Sequence, residues 1–227
     1  MTTSPKFKAM PLSAAWLPIS IVSFILAAVA GLIGTLSGVR AGEFAFDQSL
    51  NAANNPVLDA IAVGASEIYS PKWAVVITLV IMVAILIRTR SRVDTLAFGG
   101  IVAAGWLPAE PFKIFFNEPR PNQSQLAHML VQREVDAAFP SGHLCFALAI
   151  GYGLFLLSRH TKASKAVLVL WLISITIMGW ARLYVGVHYV NDLVGSVFST
   201  ILGITIFAYI WNNWIYSALS KTKFFSR

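Results

Sequence analysis

Residues 140–158 read PSGHLCFALAIGYGLFLLS, so a short polar cluster stands directly before a long apolar run. A helix needs about 20 apolar residues to cross the hydrocarbon core of a bilayer, and this run approaches that length. Two further polar clusters interrupt the apolar chain, with the patterns K-x6-R-P at 113–121 and R-x5-H-x3-D at 182–192. Polar side chains are expensive in a membrane setting, so all three clusters require a functional explanation.

The composition predicts an all-α integral membrane protein. Of the 227 residues, 57% are hydrophobic and 12% are charged, whereas a soluble domain is about 25% charged. Six apolar segments are candidate transmembrane helices, at 14–37, 71–88, 95–113, 141–158, 166–183 and 189–216. They use most of the chain without a repeat or a long linker, which predicts a single six-helix domain over residues 1–227. The first segment is too long for the apolar part of a typical secretion signal, so an uncleaved first helix is expected.

The basic residues predict the orientation of the chain. Eleven of the 17 Lys and Arg fall at the termini and in two short loops: Lys6 and Lys8; Arg88, Arg90 and Arg92; Arg159, Lys162 and Lys165; Lys221, Lys223 and Arg227. With six helices these four groups share one side, which the positive-inside rule makes cytoplasmic. We therefore expect a multi-pass protein of the cell membrane (plasma or inner membrane) with cytoplasmic termini and an active site facing outside. This basic rim accounts for the net charge of +7, so no nucleic-acid partner is expected.

The segments on the predicted outer side have patterns of their own. Residues 117–139 carry prolines and polar residues typical of an irregular loop, either a cap over the site or a plain surface loop. Just before this loop, Pro108 and Pro111 are expected to break the third helix. Residues 38–70 contain apolar positions spaced as in an amphipathic helix lying near the membrane surface: Val57, Leu58, Ile61, Val63 and Ile68.

His188 and Asp192 are the candidates for nucleophilic chemistry. They are four residues apart at the start of the sixth helix, so their side chains share a face. Asp192 can accept a hydrogen bond from one imidazole nitrogen and leave the other nitrogen with a free lone pair, as a nucleophile or general base. The alternative is a histidine–aspartate pair that only satisfies its own hydrogen bonds. Arg182, six residues upstream, argues against that alternative.

Lys113, Arg120 and Arg182 are predicted to form a cationic cradle for phosphate. The guanidinium fork matches phosphate oxygens in a bidentate way, and lysine adds a point charge. Three cations can offset a phosphate dianion and the charge that develops during phosphoryl transfer. The alternative for each is snorkelling to the lipid headgroups, which does not explain why each lies close to a motif proline or histidine. Glu110, three residues before Lys113, is placed to pair with it on one helix face.

The PSGH cluster is predicted to complete the anion site. The start of a helix offers free backbone N–H groups and the positive end of the helix dipole. Gly142 lets the backbone come close to a ligand, Ser141 adds a hydroxyl donor, and His143 is positioned to protonate a leaving oxygen. The alternative for His143 is a helix-capping role without chemistry. His128 and His160 have no comparable motif residues beside them in the sequence, so they are interpreted as residues that face solvent or the lipid headgroups.

Neither a metal nor another cofactor is expected. Cys145 is the only cysteine, which excludes an internal disulfide and any cysteine-based metal site. The sequence has no cluster of carboxylates or cysteines suited to Mg²⁺ or Zn²⁺.

The three patterns, in this order and spacing, resemble the signature of the type-2 phosphatidic acid phosphatase family. That family includes bacterial lipid phosphatases and shares its site with vanadium-dependent haloperoxidases. The resemblance implies that His188 forms a phosphohistidine, that Asp192 orients it, and that His143 is the general acid, with no metal required. It also implies a set of phosphate-binding residues, namely Lys113, Arg120, Ser141, Gly142 and Arg182. One departure is Ala181, which stands where the family often has serine.

The expected function is that of a membrane-embedded lipid phosphatase with its site at the outer face. The expected substrates are isoprenyl diphosphates such as undecaprenyl diphosphate, or phospholipid monophosphates such as phosphatidylglycerophosphate and phosphatidic acid. A haloperoxidase is a second enzyme hypothesis, but those enzymes are soluble. An anion-binding membrane transporter is the alternative from another class. Transporters typically have their site near the midplane of the bilayer, between repeated halves. Here the polar groups lie at one face of the membrane, which argues against a transporter.

Overall fold

A computed structural model describes residues 7–53 and 55–222. All regular secondary structure in these two ranges is helical, in agreement with the predicted all-α class. Lys6, Lys223 and Arg227, which contributed to the predicted orientation, lie outside the described residues. Within the described ranges the chain forms ten α-helices: α1 (Trp16–Gly34), α2 (Ser37–Ala52), α3 (Pro56–Ile68), α4 (Pro71–Thr89), α5 (Arg92–Trp106), α6 (Ala109–Phe116), α7 (Gly142–Ser158), α8 (Ser164–Tyr184), α9 (Val190–Ile210) and α10 (Tyr216–Ser220).

The apolar helices differ in length. Among the described residues, four helical stretches are long and apolar enough to cross a membrane: Ser13–Gly34, Pro71–Thr89, Ser164–Tyr184 and Val190–Ser220. The last stretch continues from α9 into α10 through a π-helical turn, Trp211–Ile215. α7 is apolar but has 17 residues, and α5 has 15. Each of the six predicted segments therefore contains a helix, but the third and fourth are shorter than a typical span.

The predicted third span, 95–113, is two helices instead of one. α5 ends at Trp106, and α6 begins after Pro108 and carries Pro111 in its first turn. Proline has no N–H to donate and its ring clashes with the preceding turn, so α5 cannot continue through this region. The break gives α6 its own direction, and α6 places Lys113 in the protein interior.

Close helix contacts hold the apolar core together. α9 packs against α1, α5 and α7, and α8 packs against α7. A Cβ atom added to Gly203 of α9 would lie 1.8 Å from the backbone oxygen of Ala104 in α5. A Cβ atom added to Gly151 of α7 would lie 1.9 Å from the ring of Trp171 in α8. Small residues at such contacts let neighbouring helices in a membrane approach closely.

The N-terminal segment meets the start of α5 and the end of α9 at one end of the protein. The backbone N–H of Phe7 donates to Asp94 at 3.0 Å, and the Trp211 indole donates to the Phe7 carbonyl at 2.9 Å. The N–H of Met10 donates to Asn212 at 2.8 Å. The PSGH cluster and the histidine–aspartate pair lie at the other ends of α7 and α9. The basic groups flanking α4, α5 and α9 are therefore separated from the polar motifs by the length of the helices.

Residues 38–70 form two helices, of which only one was predicted. The Asn55 side chain caps α3 by accepting from Val57 N at 2.8 Å, and Pro56 suits the first helical position. α3 packs against α8, and its buried Ala62 shares an apolar cluster with Ala181 and Tyr184. α2 was missed because its mixed composition lacks a long apolar stripe. The five apolar residues that predicted the amphipathic helix are all exposed: Val57, Leu58, Ile61, Val63 and Ile68.

Candidate active site

The start of α9 holds the histidine–aspartate pair in a defined arrangement. Asp192 lies in the first turn, where its Oδ2 accepts the backbone N–H of Tyr189, the N-cap residue, at 2.9 Å. The same oxygen lies 3.0 Å from Nδ1 of His188. Both motif side chains are fully buried. The predicted pairing at i and i+4 is therefore present, with His188 one residue before the N-cap.

Arg120 determines which nitrogen of His188 carries the free lone pair. Its Nη1 lies 3.0 Å from His188 Nε2. A guanidinium can only donate, so Nε2 must accept, and the ring proton must sit on Nδ1 and point to Asp192. Burial, followed by the charges of Arg120 and Arg182, lowers the pKa of His188 well below its ordinary value. The imidazole is therefore neutral, with the Nε2 lone pair directed at the cationic group.

The three predicted cradle cations line one cavity. It has a volume of about 620 Å³, and Gly142 and His143 also line it. Nη1 of Arg120 donates to the Val187 carbonyl at 2.9 Å, so Arg120 is hydrogen-bonded to the turn before α9. Arg182 comes from the last turn of α8 and is buried, and Lys113 comes from α6. Two helices and the 117–139 loop thus bring three positive charges together, and Arg182 comes from a distant part of the sequence.

The acidic part of the 117–139 loop, residues 134–136, lies against these cations. Glu134 Oε2 lies 2.7 Å from Arg120 Nη2, and its Oε1 pairs with Arg182. Asp136 Oδ1 lies 2.8 Å from Arg120 Nη2, and its Oδ2 lies 2.5 Å from Lys113 Nζ. Of the two interpretations of the loop, these contacts favour the cap. Lys113 pairs with Asp136 and with the Ala137 carbonyl at 2.6 Å, not with Glu110.

The pairing expected at Glu110 was wrong for a geometric reason. α6 is only eight residues long, and its Lys113 side chain faces the incoming loop, whereas Glu110 is exposed. Burial raises the pKa of Asp136, but the hydrogen bond from Lys113 and the charges of Arg120 and Lys113 outweigh it and lower the pKa overall. Asp136 is therefore ionised and bound to the cations at neutral pH.

The PSGH cluster is held by contacts that the sequence did not predict. The Ser141 N–H donates to Ser196 Oγ at 2.9 Å, and Ser196 Oγ also lies 2.7 Å from the Asp192 carbonyl. This backbone donor is therefore already occupied, in contrast to the free N–H groups expected there. The buried Ser141 hydroxyl has no hydrogen-bond partner within residues 7–53 and 55–222. His143 and Ser66 of α3 both line the cavity.

The predicted site residues occupy two layers. Lys113, Arg120, Gly142, His143 and Arg182 line the cavity, whereas Ser141, His188 and Asp192 lie behind it and are fully buried. The exposed residues His128 and His160 are not part of the site, as expected.

Sequence reasoning missed three contributors to this site, Glu134, Asp136 and Ser196. Ser196 stands four residues after Asp192, so the helical period offered a signal for it. For the two acidic loop residues, Glu134 and Asp136, their charge was the only signal in the sequence.

Comparison with known proteins agrees with this arrangement. Residues 94–216 match the family model of the PAP2 superfamily, a range that contains all three polar motifs. Undecaprenyl-diphosphatase BcrC of Bacillus subtilis (strain 168) is 33% identical over 159 residues, which are 69% of this chain and 77% of that protein.

Two solved structures have the same fold. One is described as the first transmembrane PAP2 type phosphatidylglycerolphosphate phosphatase from Bacillus subtilis; its TM-score is 0.69 at 17% identity, covering 90% of this chain and 98% of that one. The other is LpxE from Aquifex aeolicus, with a TM-score of 0.57 at 22% identity over 72% of this chain and 94% of that one. The ordered motifs, the helical fold around them and these similarities lead to one conclusion: the chain belongs to the PAP2 superfamily and is a membrane lipid phosphatase.

Proposed function

We propose that this lipid phosphatase hydrolyses isoprenyl diphosphates, with undecaprenyl diphosphate as the first candidate, or phospholipid monophosphates, through a phosphohistidine on His188. The observation that carries the proposal is the buried Asp192–His188–Arg120 arrangement, in which a neutral imidazole directs Nε2 at a cation. The Bacillus subtilis relative is an undecaprenyl-diphosphatase, which favours an isoprenyl diphosphate as the substrate. Phosphatidylglycerophosphate and phosphatidic acid are the monophosphate candidates.

The catalytic steps follow from the positions of the two histidines. Nε2 of His188 attacks phosphorus, and the bond from phosphorus to the leaving oxygen breaks. His143, which lines the cavity, gives its proton to that oxygen. Water then attacks the phosphohistidine, His143 takes the proton of the water, and phosphate leaves. Asp192 stabilises the charge that forms on the His188 ring.

The cradle residues bind the transferred group. Arg120 and Arg182 present guanidinium groups, Lys113 adds its ammonium group, and Ser141 and Gly142 contribute the start of α7. These side chains supply the positive charge that phosphoryl transfer needs, and we propose that neither a metal nor another cofactor is required. In the described part of the chain, no three His, Cys, Asp or Glu side chains are grouped as metal ligands.

An apolar groove next to the site is suited to the lipid tail. It has a volume of about 610 Å³ and lies between α4, α7 and α8, lined by residues such as Ile81, Phe146 and Trp171. Tyr69 lines both this groove and the polar cavity, so the two are adjacent. We propose that the substrate enters sideways from the bilayer, with its tail in the groove and its phosphate in the cavity.

The proposed topology has six spans in one domain. The spans are α1, α4, α5 with α6, α7, α8 and α9, and the exposed apolar face of α3 lies at the membrane surface. The basic groups at the end opposite to the site support cytoplasmic termini and a site that faces outside. The substrate would then be taken from the outer leaflet of the cell membrane.

A panel of lipid phosphates tests the proposed function. Phosphate release by the detergent-solubilised protein is measured with undecaprenyl diphosphate, phosphatidylglycerophosphate and phosphatidic acid, and the substrates are ranked by kcat/KM. Labelled substrate should leave its phosphoryl group on His188, and His188→Ala should remove both label and turnover. Phosphate release by His188→Ala at the rate of the unmodified protein would rule out this mechanism.

A further inference from the structure

Glu134 binds the cradle in the way that a phosphate group would. Its two carboxylate oxygens reach two different guanidinium groups, with Oε2 2.7 Å from Arg120 Nη2 and Oε1 on Arg182. Bridging two arginines through two oxygens is the geometry that these side chains also offer to phosphate. Asp136 adds contacts to Arg120 and Lys113. The carboxylates of one loop thus neutralise all three proposed phosphate-binding cations.

This arrangement is incompatible with substrate binding. A phosphate dianion cannot share the cradle with two carboxylates, because its oxygens would need the same donor groups and like charges at such short distances repel. The nucleophile is also engaged, since the only free lone pair of His188 is held by Arg120 Nη1 at 3.0 Å. For the proposed reaction, the arginines must exchange the carboxylates for phosphate oxygens.

We propose that Glu134 occupies the phosphate position in the resting protein and that the substrate binds by displacing it. Glu134 thereby determines the affinity of the site for phosphate groups. This inference rests on the proposed function, because it takes the three cations to be the phosphate-binding residues.

The loop is built so that its acidic segment can leave while its ends stay in place. On the N-terminal side, Asn51 of α2 accepts from the His128 N–H at 2.8 Å and donates to the His128 carbonyl at 2.9 Å. On the C-terminal side, the Ala138 N–H donates to the Glu118 carbonyl at 2.8 Å, and Phe139 is fully buried. These anchors are independent of the cradle.

Between the anchors, the ion pairs hold the acidic segment. Within the described ranges, all hydrogen bonds of residues 132–136 go to Lys113, Arg120 and Arg182. Val135, between the two acidic residues, is 97% exposed. Glu134 and Asp136 contact the cations of the cavity, whereas the side chain of Val135 between them is free of the ion pairs. Residues 132–136 can therefore move outward without exposing a buried apolar side chain.

Binding of inorganic phosphate to the detergent-solubilised full chain tests this inference. In the closed form of the site, residue 134 contacts Arg120 and Arg182; in the open form it has left them. Glu134→Gln keeps the size of the side chain but removes its charge, so the closed form loses these ion pairs. If the closed form is about ten times more populated than the open form, the apparent affinity for phosphate is about tenfold weaker than that of the open form. Glu134→Gln should then bind phosphate about tenfold more tightly, with a correspondingly lower KM for lipid phosphate. Glu134→Asp, which keeps the charge on a shorter side chain, should fall between the two.

Two control variants separate the possible results. Glu110→Gln removes a carboxylate that lines the same cavity and has no cation partner among the described residues, so its phosphate affinity should stay within about twofold of the unmodified protein. Arg182→Gln should lose phosphate binding if the cradle is assigned correctly. If Arg182→Gln loses phosphate binding but Glu134→Gln binds phosphate no more tightly than the unmodified protein, the proposed displacement of Glu134 is overturned while the cradle stands. Phosphate binding that persists in Arg182→Gln would overturn the proposed cradle itself.

Discussion

Asp47 should make the stability of this protein fall as the pH rises. Its side chain lies in α2, is fully buried, and neither oxygen has a hydrogen-bond partner in the described part of the chain. Burial, followed by the nearby carboxylates of Asp192 and Glu43, raises the pKa of Asp47 to about 9. Asp47 is therefore protonated in the folded protein at neutral pH, although it would be ionised in the unfolded chain.

The expected magnitude follows from the linkage between protonation and folding. Below an unfolded-state pKa of about 3.9, both states hold the proton and Asp47 adds no pH dependence. Between that value and about 9, only the folded state holds it, so the free energy of unfolding decreases by about 1.4 kcal/mol for each pH unit. From pH 5 to pH 8 the loss is about 4 kcal/mol. Above the folded pKa both states are ionised and the slope ends.

Replacing Asp47 by asparagine removes this penalty while keeping the shape of the protonated side chain. The melting temperature is measured by tryptophan fluorescence of the detergent-solubilised protein between pH 5 and pH 8. At about 2–4 °C for each kcal/mol, the advantage of Asp47→Asn should grow by about 10 °C over this range. Glu110→Gln, an exposed carboxylate control, should show no such trend. A stability difference that stays constant with pH, or an Asp47→Asn variant that melts lower at pH 8, would refute the reasoning.

Three further predictions concern the site and its orientation. His188→Ala should abolish turnover, whereas Asp192→Asn should retain a trace, about 10²–10⁴-fold below the unmodified rate, because it disturbs the tautomer and not the nucleophile; equal residual rates would contradict these roles. EDTA should leave phosphate release largely intact because side chains supply the positive charge, and vanadate should inhibit as a transition-state mimic; activity that EDTA removes and Mg²⁺ restores would argue against this. In a Cys145→Ala background, an impermeant thiol reagent on intact cells should label Met129→Cys, whose position is 67% exposed, but not cysteines at the termini; the reverse result would invert the topology.

Features that depend on neighbours in the chain were predictable from the sequence. The i, i+4 spacing of His188 and Asp192 places them on one helical face wherever that helix lies, and the hydrogen bond at 3.0 Å agrees with this. Proline cannot continue a helix, so the break at Pro108 followed from residue type alone. The apolar runs and the ordered motifs were sufficient for the membrane class and the family. The pairing, the helix break and the membrane class are consequences of short-range geometry and composition, whereas the family followed from the resemblance of the motifs.

Only the tertiary structure decided which distant groups meet. Lys113 selects Asp136, 23 residues away, over Glu110 on its own helix, because the path of the loop brings that carboxylate to 2.5 Å. Asp47 is buried without a hydrogen-bond partner among the described residues because α2 folds against α8 and the start of α9, and no local pattern marks such a position. Glu134 pairs with two arginines only because α8 and the 117–139 loop bring Arg182 and Arg120 to the same carboxylate. The sequence alone determined the groups available for the chemistry, whereas long-range packing determined their partners, since contacts between distant residues depend on the paths of helices and loops and not on local spacing.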